Sequence, residues 1–217
     1  MKTNIILIIA ALSVLLAACK KETEKTYPTD GLVSWFNFDN NLDDQLGATP
    51  TGINNNSVTF TGGKAGKAIT LNGSDQYISF ARNTFRNGNN ISVALWIKKS
   101  GTAGMYFILC DDFGIYTSEG KAGIAISTPL TSSAKGMITE GQWTHFVGTY
   151  DGTNIKAYIN GVLTETISHT GNIAPWYGDM EIGRFNTVYW SGSVDDLFIY
   201  NKVLSQEEVT QLYEYHR

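Results

Sequence analysis

From Gly31 to Tyr200 the chain runs in short segments of alternating apolar and polar residues, broken by Gly, Asn, Asp and Ser. That is the pattern of many strands joined by tight turns. Helical periodicity is absent there. Ile91, Val93, Leu95 and Ile97 alternate with Ser92, Ala94, Trp96 and Lys98, so successive side chains enter opposite faces of a strand. One face is predicted to enter the core and the other to meet a second layer or solvent.

The stretch Gln142 to Ser168 predicts three antiparallel strands. Trp143 to Tyr150, Ile155 to Ile159 and Val162 to Ile167 are separated by Asp151-Gly152 and Asn160-Gly161, dipeptides that tolerate the positive φ of hairpin turns. One helix is predicted at the end of the chain, from Gln206 to about Tyr213. Ser205 and Glu208 have capping-box spacing, Leu204 can staple to Val209, and Val209, Leu212 and Tyr213 are expected to cover one end of a sandwich.

The first 30 residues follow a different pattern. Lys2 is followed by an apolar run from Ile5 to Ala18 and then by Cys19-Lys20-Lys21-Glu22, the order of a signal peptide. The run is shorter than the roughly 20 residues a membrane-spanning helix needs, which argues against an uncleaved anchor. Residues 20–30 are charged, contain Pro28 and lack an apolar period, as a flexible spacer does. The expected organisation is therefore a signal peptide over 1–18, a Cys-headed linker over 19–30 and one domain over 31–217. No internal repeat interrupts that domain.

Charge and cysteine content narrow the picture. The formal net charge is −4, and loss of residues 1–18 removes only Lys2 among the charges, giving −5. A mildly acidic domain without clustered Lys and Arg carries no footprint for nucleic acid. Of the two cysteines, Cys19 and Cys110, the second lies in an apolar stretch and reads as a small buried hydrophobe, so no disulfide framework is expected. The fold must rest on its core, and a domain near this size buries about 70% of its unfolded surface.

Leu16-Ala17-Ala18-Cys19 resembles the lipobox of bacterial lipoproteins, which implies acylation of Cys19. Each buried acyl CH₂ contributes about 0.8 kcal/mol, so two or three chains hold a protein durably at a membrane. The Lys-Lys-Glu that follows resembles the leader of surface-displayed lipoproteins, which implies an outer-membrane or cell-surface location.

Four further stretches, LVSWFNFDNNLDDQLG (32–47), ISVALWI (91–97), QWTHFVGTYDGTNIKAYINGVL (142–163) and GSVDDLFIYNKVLS (192–205), resemble the LamG-like (laminin G type 3) branch of the concanavalin A-like lectin/glucanase superfamily. The resemblance implies an all-β jelly roll of two antiparallel sheets with one short C-terminal helix, in agreement with the turns and alternation. Domains of this kind serve as binding modules, adhesion domains and occasional attachments to enzymes.

Asp39-Asn40-Asn41-Leu42-Asp43-Asp44 is the densest oxygen cluster, and calcium takes six to eight oxygen ligands. The spacing is not that of an EF-hand, since Asp44 and Pro50 stand where Gly and Glu are needed. The resemblance implies a structural calcium between this loop and the last strand, at Asp44 and Asp195. Asp39, Asn41, Asp44 and Asp195 are thus the expected ligands, against the reading that they cap turns.

Of the five tryptophans, Trp35, Trp96, Trp143 and Trp190 fall in or beside predicted strands and read as packing residues. Trp176 and Tyr177 fall in a loop rich in Pro and Gly and are the expected ligand platform, with Tyr116 and Phe113 further candidates beside Asp111-Asp112. The Glu-x-Asp-x-x-Glu string of glucanases in this superfamily does not occur. Asp179-Met180-Glu181 is the nearest pair, and adjacent Asp195-Asp196 would point to opposite faces of a regular strand. The three histidines, His145, His169 and His216, are not spaced for zinc. The expected protein is a non-catalytic, surface-tethered glycan-binding module. A protein-binding adhesion module on the same fold, and a hydrolase with dispersed acids, are the alternatives.

Overall fold

The computed structural model describes residues 26–81, 89–101, 105–110, 113–126, 132–173 and 178–216. Two antiparallel sheets face each other. Sheet A runs in the order β13 (Val162–Ser168), β12 (Asn154–Ile159), β11 (Thr144–Tyr150), β6 (Ile91–Lys99), β17 (Ser191–Tyr200), β4 (Lys67–Asn72), β3 (Thr59–Gly62), with β1 (Leu32–Phe36) also paired to β17. Sheet B runs β10 (Ser132–Met137), β9 (Lys121–Ile126), β8 (Phe113–Ser118), β7 (Met105–Cys110), β14 (Met180–Ile182), β5 (Tyr77–Phe80), β2 (Ile53–Asn55). A ribbon of β15 (Arg184–Phe185) and β16 (Val188–Tyr189) precedes β17. This is the antiparallel sandwich expected from the alternation and the jelly roll that the family resemblance implies, and the meander β11-β12-β13 forms with Gly152 at a φ of 88° in its first turn. Asn160 and Gly161 have φ of 50° and 82°.

The inner positions of that alternation make one core. Val93, Leu95 and Ile97 of β6 and Phe146 and Tyr150 of β11 meet Ile115 of β8 and Ile124 and Ile126 of β9. Truncating a buried side chain of this size costs about 2–5 kcal/mol. Gly148 lets the sheets approach, since a Cβ there would lie 2.7 Å from that of Ile124. Trp190 is fully buried and its Nε1 donates to Thr117 Oγ1 at 2.9 Å, linking the approach to β17 with β8.

A second apolar cluster lies on the outer side of sheet A. Ala94, Val147, Tyr158, Phe198 and Tyr200 project outward and are covered by Leu204 and by Val209 and Leu212 of α1 (Gln206–Tyr215). Both halves of the capping box form at Ser205 and Glu208. The helix therefore roofs a face of the sandwich rather than one end, and it runs to Tyr215 rather than to Tyr213. β11 is consequently buried at every residue, because its two faces meet two different clusters.

The packed body also starts earlier than Gly31. The Tyr27 ring lies 4.9 Å from that of Trp35 and 5.3 Å from that of Phe198, and Tyr200 Oη donates to the Pro28 carbonyl at 2.9 Å. Residues that composition alone assigned to a spacer thus dock on the helix side of sheet A. The signal segment and Cys19 lie outside the described residues. Among those described, no helix is long and apolar enough to cross a membrane.

Candidate ligand-binding face

The acidic residues come together only in part. The carboxylate of Asp44 accepts four backbone N–H bonds, from Trp35 and Leu46 at Oδ1 and from Ala48 and Thr49 at Oδ2, at 2.9 to 3.1 Å. It is only 7% exposed, so its acceptor capacity is spent on shaping its own loop. Asn41 is likewise local, accepting from Asp43 N and donating to the Asp39 carbonyl. Asp39 and Asp195 instead reach one turn, between β3 and β4. Lys67 N donates to Asp39 Oδ1 at 2.7 Å, and Lys64 N and Ala65 N donate to Asp195 Oδ2 at 2.8 and 3.1 Å. Gly63 and Gly66 admit these carboxylates: a Cβ at Gly63 would lie 2.5 Å from Asp195 Oδ2, and one at Gly66 would meet Asp39 Oδ1.

A bulge in β17 changes the geometry expected of Asp195-Asp196. The register shifts between Asp195 and Phe198, and Asp196 adopts a φ of 46°. A bulged strand loses its simple alternation, so both carboxylates lie on the outer side. Asp196 Oδ1 accepts from Trp35 Nε1 at 3.1 Å, and its Oδ2 lies 3.1 Å from His216 Nε2. Burial pushes Asp195 up to about 7 and Asp196 up to about 8; the Asp39 charge adds to both, and Asp195 to Asp196. Of the expected calcium ligands, Asp39 and Asp195 reach the same turn, whereas Asn41 and Asp44 are committed to their own loop. Among the described residues no three His, Cys, Asp or Glu side chains are placed to hold a metal.

The described tryptophans are packing residues to different degrees. Trp96 and Trp190 are buried, Trp35 stacks on Phe198 at 5.3 Å, and half-buried Trp143 receives Lys98 Nζ 5.0 Å from its ring centre. Trp176 and Tyr177 lie outside the described residues. His145 is buried between Trp96 and Tyr213, with ring centres 5.1 and 6.0 Å away. Burial, with a smaller contribution from the charge of His216, lowers its pKa to about 3. Its imidazole is neutral at pH 7 and closed off from ligand.

Tyr116 lies on the outer side of sheet B, which no helix covers among the described residues. Glu119 and Gly120, both at positive φ, form a two-residue hairpin that pairs Ser118 with Lys121 and hence Tyr116 with Gly123. The ring spreads across that glycine: a Cβ at Gly123 would lie 2.5 Å from Tyr116 Cζ. Its hydroxyl donates to Ser133 Oγ on β10 at 3.1 Å. The half-buried ring is thus laid flat and pinned across three strands. The sequence singles out Tyr116 and Phe113 for their neighbours, but register sends Phe113 into the core, and Glu119-Gly120 flanked by alternating residues specifies that register.

Beyond Tyr116, where β10 meets β13, lies a groove of about 410 Å³. It falls within the roughly 300–1,000 Å³ of small-molecule sites. Glu165 is the one carboxylate among the described residues that line it. Glu181 is held by Arg184, whose Nε donates to Oε2 at 2.8 Å, and the Arg184 guanidinium in turn lies 3.8 Å from the Tyr77 ring centre.

Two curved antiparallel sheets with jelly-roll connections define a lectin-like sandwich. Residues 72–210 match the laminin G type 3 family of the concanavalin A-like lectin/glucanases superfamily, and the chain belongs to that family. Among solved structures it is similar to domain 4 of AbnA, a GH43 extracellular arabinanase from Geobacillus stearothermophilus, in complex with arabinotriose. That likeness has 24% identity and a TM-score of 0.74, and covers 84% of this chain and 98% of that one. It is also similar to botulinum neurotoxin type C, whose cell entry is described as dependent on two ganglioside molecules. There the identity is 16% and the TM-score 0.72, with 87% of this chain and 52% of that one covered. The binding domain of botulinum neurotoxin DC in complex with rat synaptotagmin II has 15% identity and a TM-score of 0.70, with coverage of 87% and 52%. The chain spans about half of these toxin domains. At such identities the likeness shows the fold. No curated protein matches the sequence.

Proposed function

We propose that this chain is a non-catalytic carbohydrate-binding module that presents the outer side of sheet B to a glycan. The observation that carries this reading is the Tyr116 ring laid flat over Gly123 on the sheet face that, among the described residues, no helix covers. Flat aromatic rings pack against the C–H faces of sugars. One similar structure is a complex with arabinotriose and another belongs to a toxin whose cell entry depends on gangliosides, which supports a sugar as ligand.

The chain enters the domain on the opposite side. Thr26 accepts from Gln211 Nε2 of α1 at 2.9 Å, and Tyr27 packs on Tyr215. With Cys19 acylated and the protein held at the outer membrane, as the lipobox resemblance suggests, the Tyr116 face is turned away from its anchor. Calcium belongs to this reading as a structural ion drawn to the Asp39 and Asp195 carboxylates; melting that is unchanged by calcium or by chelator removes it. A protein partner is the second reading, supported by the synaptotagmin complex of a similar fold and by exposed Val162 and Leu163 on edge strand β13.

The test is a glycan array with the mature chain and its Tyr116→Ala and Trp176→Ala variants. Binding that Tyr116→Ala weakens supports the sheet B site. Binding weakened by Trp176→Ala alone moves the site to the loop, and no glycan bound by the parent chain ends the reading.

A further inference from the structure

We infer that the glycan on this face is anionic, and that Lys121 and Lys135 hold the carboxylate of a uronic acid in the groove beside Tyr116. The inference rests on the glycan-binding reading above and deepens it.

Cross-strand register places the parts. Tyr116, Gly123 and Lys135 form one row across β8, β9 and β10, and Lys121 stands opposite Met137 in a neighbouring row. Adjacent strands are about 4.8 Å apart, so Lys135 lies two spacings, about 10 Å, from Tyr116. Lys121 and Lys135 are diagonal neighbours, a relation that leaves Cα atoms about 7–8 Å apart and long side chains within reach of one another. Both line the groove.

Among the described residues the groove carries two lysines and one carboxylate, that of Glu165. Among the described residues, ion pairs join Arg184 to Glu181, Lys202 to Asp30 and Glu208, and His216 to Asp196. Neither groove lysine belongs to one. Glu165, the acid in the groove, is engaged by the backbone, accepting from Lys135 N at 2.8 Å. Two like charges at diagonal positions repel, and an anionic group between them relieves that repulsion. Lys stems bury apolar length while their ammonium groups stay in water, as a charged sugar substituent would meet them.

The remainder of the groove suits a ring. Ile159 and the exposed Met137 provide apolar contact. Gly136 keeps the floor open, since a Cβ there would lie 2.3 Å from Ile159 Cγ1. A bare inorganic anion would use the lysines and leave Tyr116, Met137 and Ile159 without purpose. A sugar acid uses all of them.

The experiment titrates the mature chain with oligogalacturonate and oligoguluronate, and with the carboxyl-reduced form of each, by calorimetry at low and high salt. One acidic oligosaccharide is expected to bind at least about tenfold more tightly than its reduced form, which corresponds to about 1.4 kcal/mol, with the preference fading as salt screens it. In the Lys121→Gln/Lys135→Gln double variant the preference is expected to fall to about twofold or less. Its melting temperature is expected to stay unchanged, and Lys→Arg at both sites retains the preference. Equal binding of acidic and reduced forms overturns the inference while leaving a neutral-glycan module standing. A preference that survives the double variant overturns the assignment to these lysines. Binding of neither form, with an array that also finds no glycan, overturns the inference and the reading on which it rests.

Discussion

The two outer faces of the sandwich are built on the same alternation and end in opposite conditions. On sheet A the outward residues are Ala94, Val147, Tyr158, Phe198 and Tyr200, and α1 with the Tyr27 segment closes over them. On sheet B, between β8 and β10, they are Gly114, Tyr116, Ser118, Lys121, Gly123, Ala125, Ser133, Lys135 and Met137, and among the described residues no helix covers them. The first set is large and apolar and has to be removed from water. The second mixes glycine, hydroxyl and charge around one ring. One face stabilises the domain, and the other is the face proposed above to take a ligand.

That division predicts a clean separation of mutational effects. The largest is expected on the roof. Leu212→Ala removes a side chain only 2% exposed and should cost about 2–5 kcal/mol, lowering the denaturation midpoint while sugar affinity stays within twofold. If glycan binding fell with the roof intact by circular dichroism, the two faces would be coupled and the separation would fail.

His145 sharpens the comparison through pH. Its folded pKa of about 3 lies below the 6.5 of the free imidazole. Between those values the unfolded chain holds a proton that the folded chain does not. Its contribution to stability is therefore full above pH 6.5 and is lost as pH falls toward 3, by up to about 1.4 kcal/mol per unit. At pH 5 the deficit should be about 2 kcal/mol. Urea denaturation of parent and His145→Phe across pH 4.5 to 7.5 should show the parent losing stability more steeply on acidification; parallel curves would mean that the imidazole is not buried neutral.

Much of the roofed face was legible in the sequence because local signals specify it. Ser205, Glu208 and the Leu204–Val209 staple declare the helix start, and Asn160-Gly161 declares the hairpin. Where α1 docks was less legible, because that depends on which strands sit side by side. The candidate site was legible residue by residue and not as an arrangement. Asp39 and Asp195 are 156 positions apart and share a turn only because β17 pairs with β4, which pairs with β3. Asp196 turns outward through a bulge that no neighbouring residue announces. Lys121 and Lys135 look like ordinary surface lysines until register sets one beside Gly123 and the other beside Met137.

The smallest expected effects come from a matched pair of glycines. Gly148 and Gly123 both sit mid-strand, and a methyl group at either would meet a neighbour at under 3 Å. The neighbours differ. At Gly148 the obstruction is Ile124, with its Cβ at 2.7 Å inside the core, so Gly148→Ala forces two packed sheets apart and should cost about 1–3 kcal/mol of stability. At Gly123 the obstruction is the far end of the Tyr116 side chain on the open face, which can swing aside. Gly123→Ala should therefore change stability by less than about 1 kcal/mol, as solvent-side substitutions do. It should also lift the ring off the sheet and weaken glycan binding by roughly three- to tenfold, the order of 0.5–1.5 kcal/mol that an oriented aromatic contact contributes. Denaturant midpoints and calorimetric affinities of the two variants measure both quantities. Should Gly123→Ala lose stability as Gly148→Ala does while binding holds, the Tyr116 ring is a cover for its strand and not a platform.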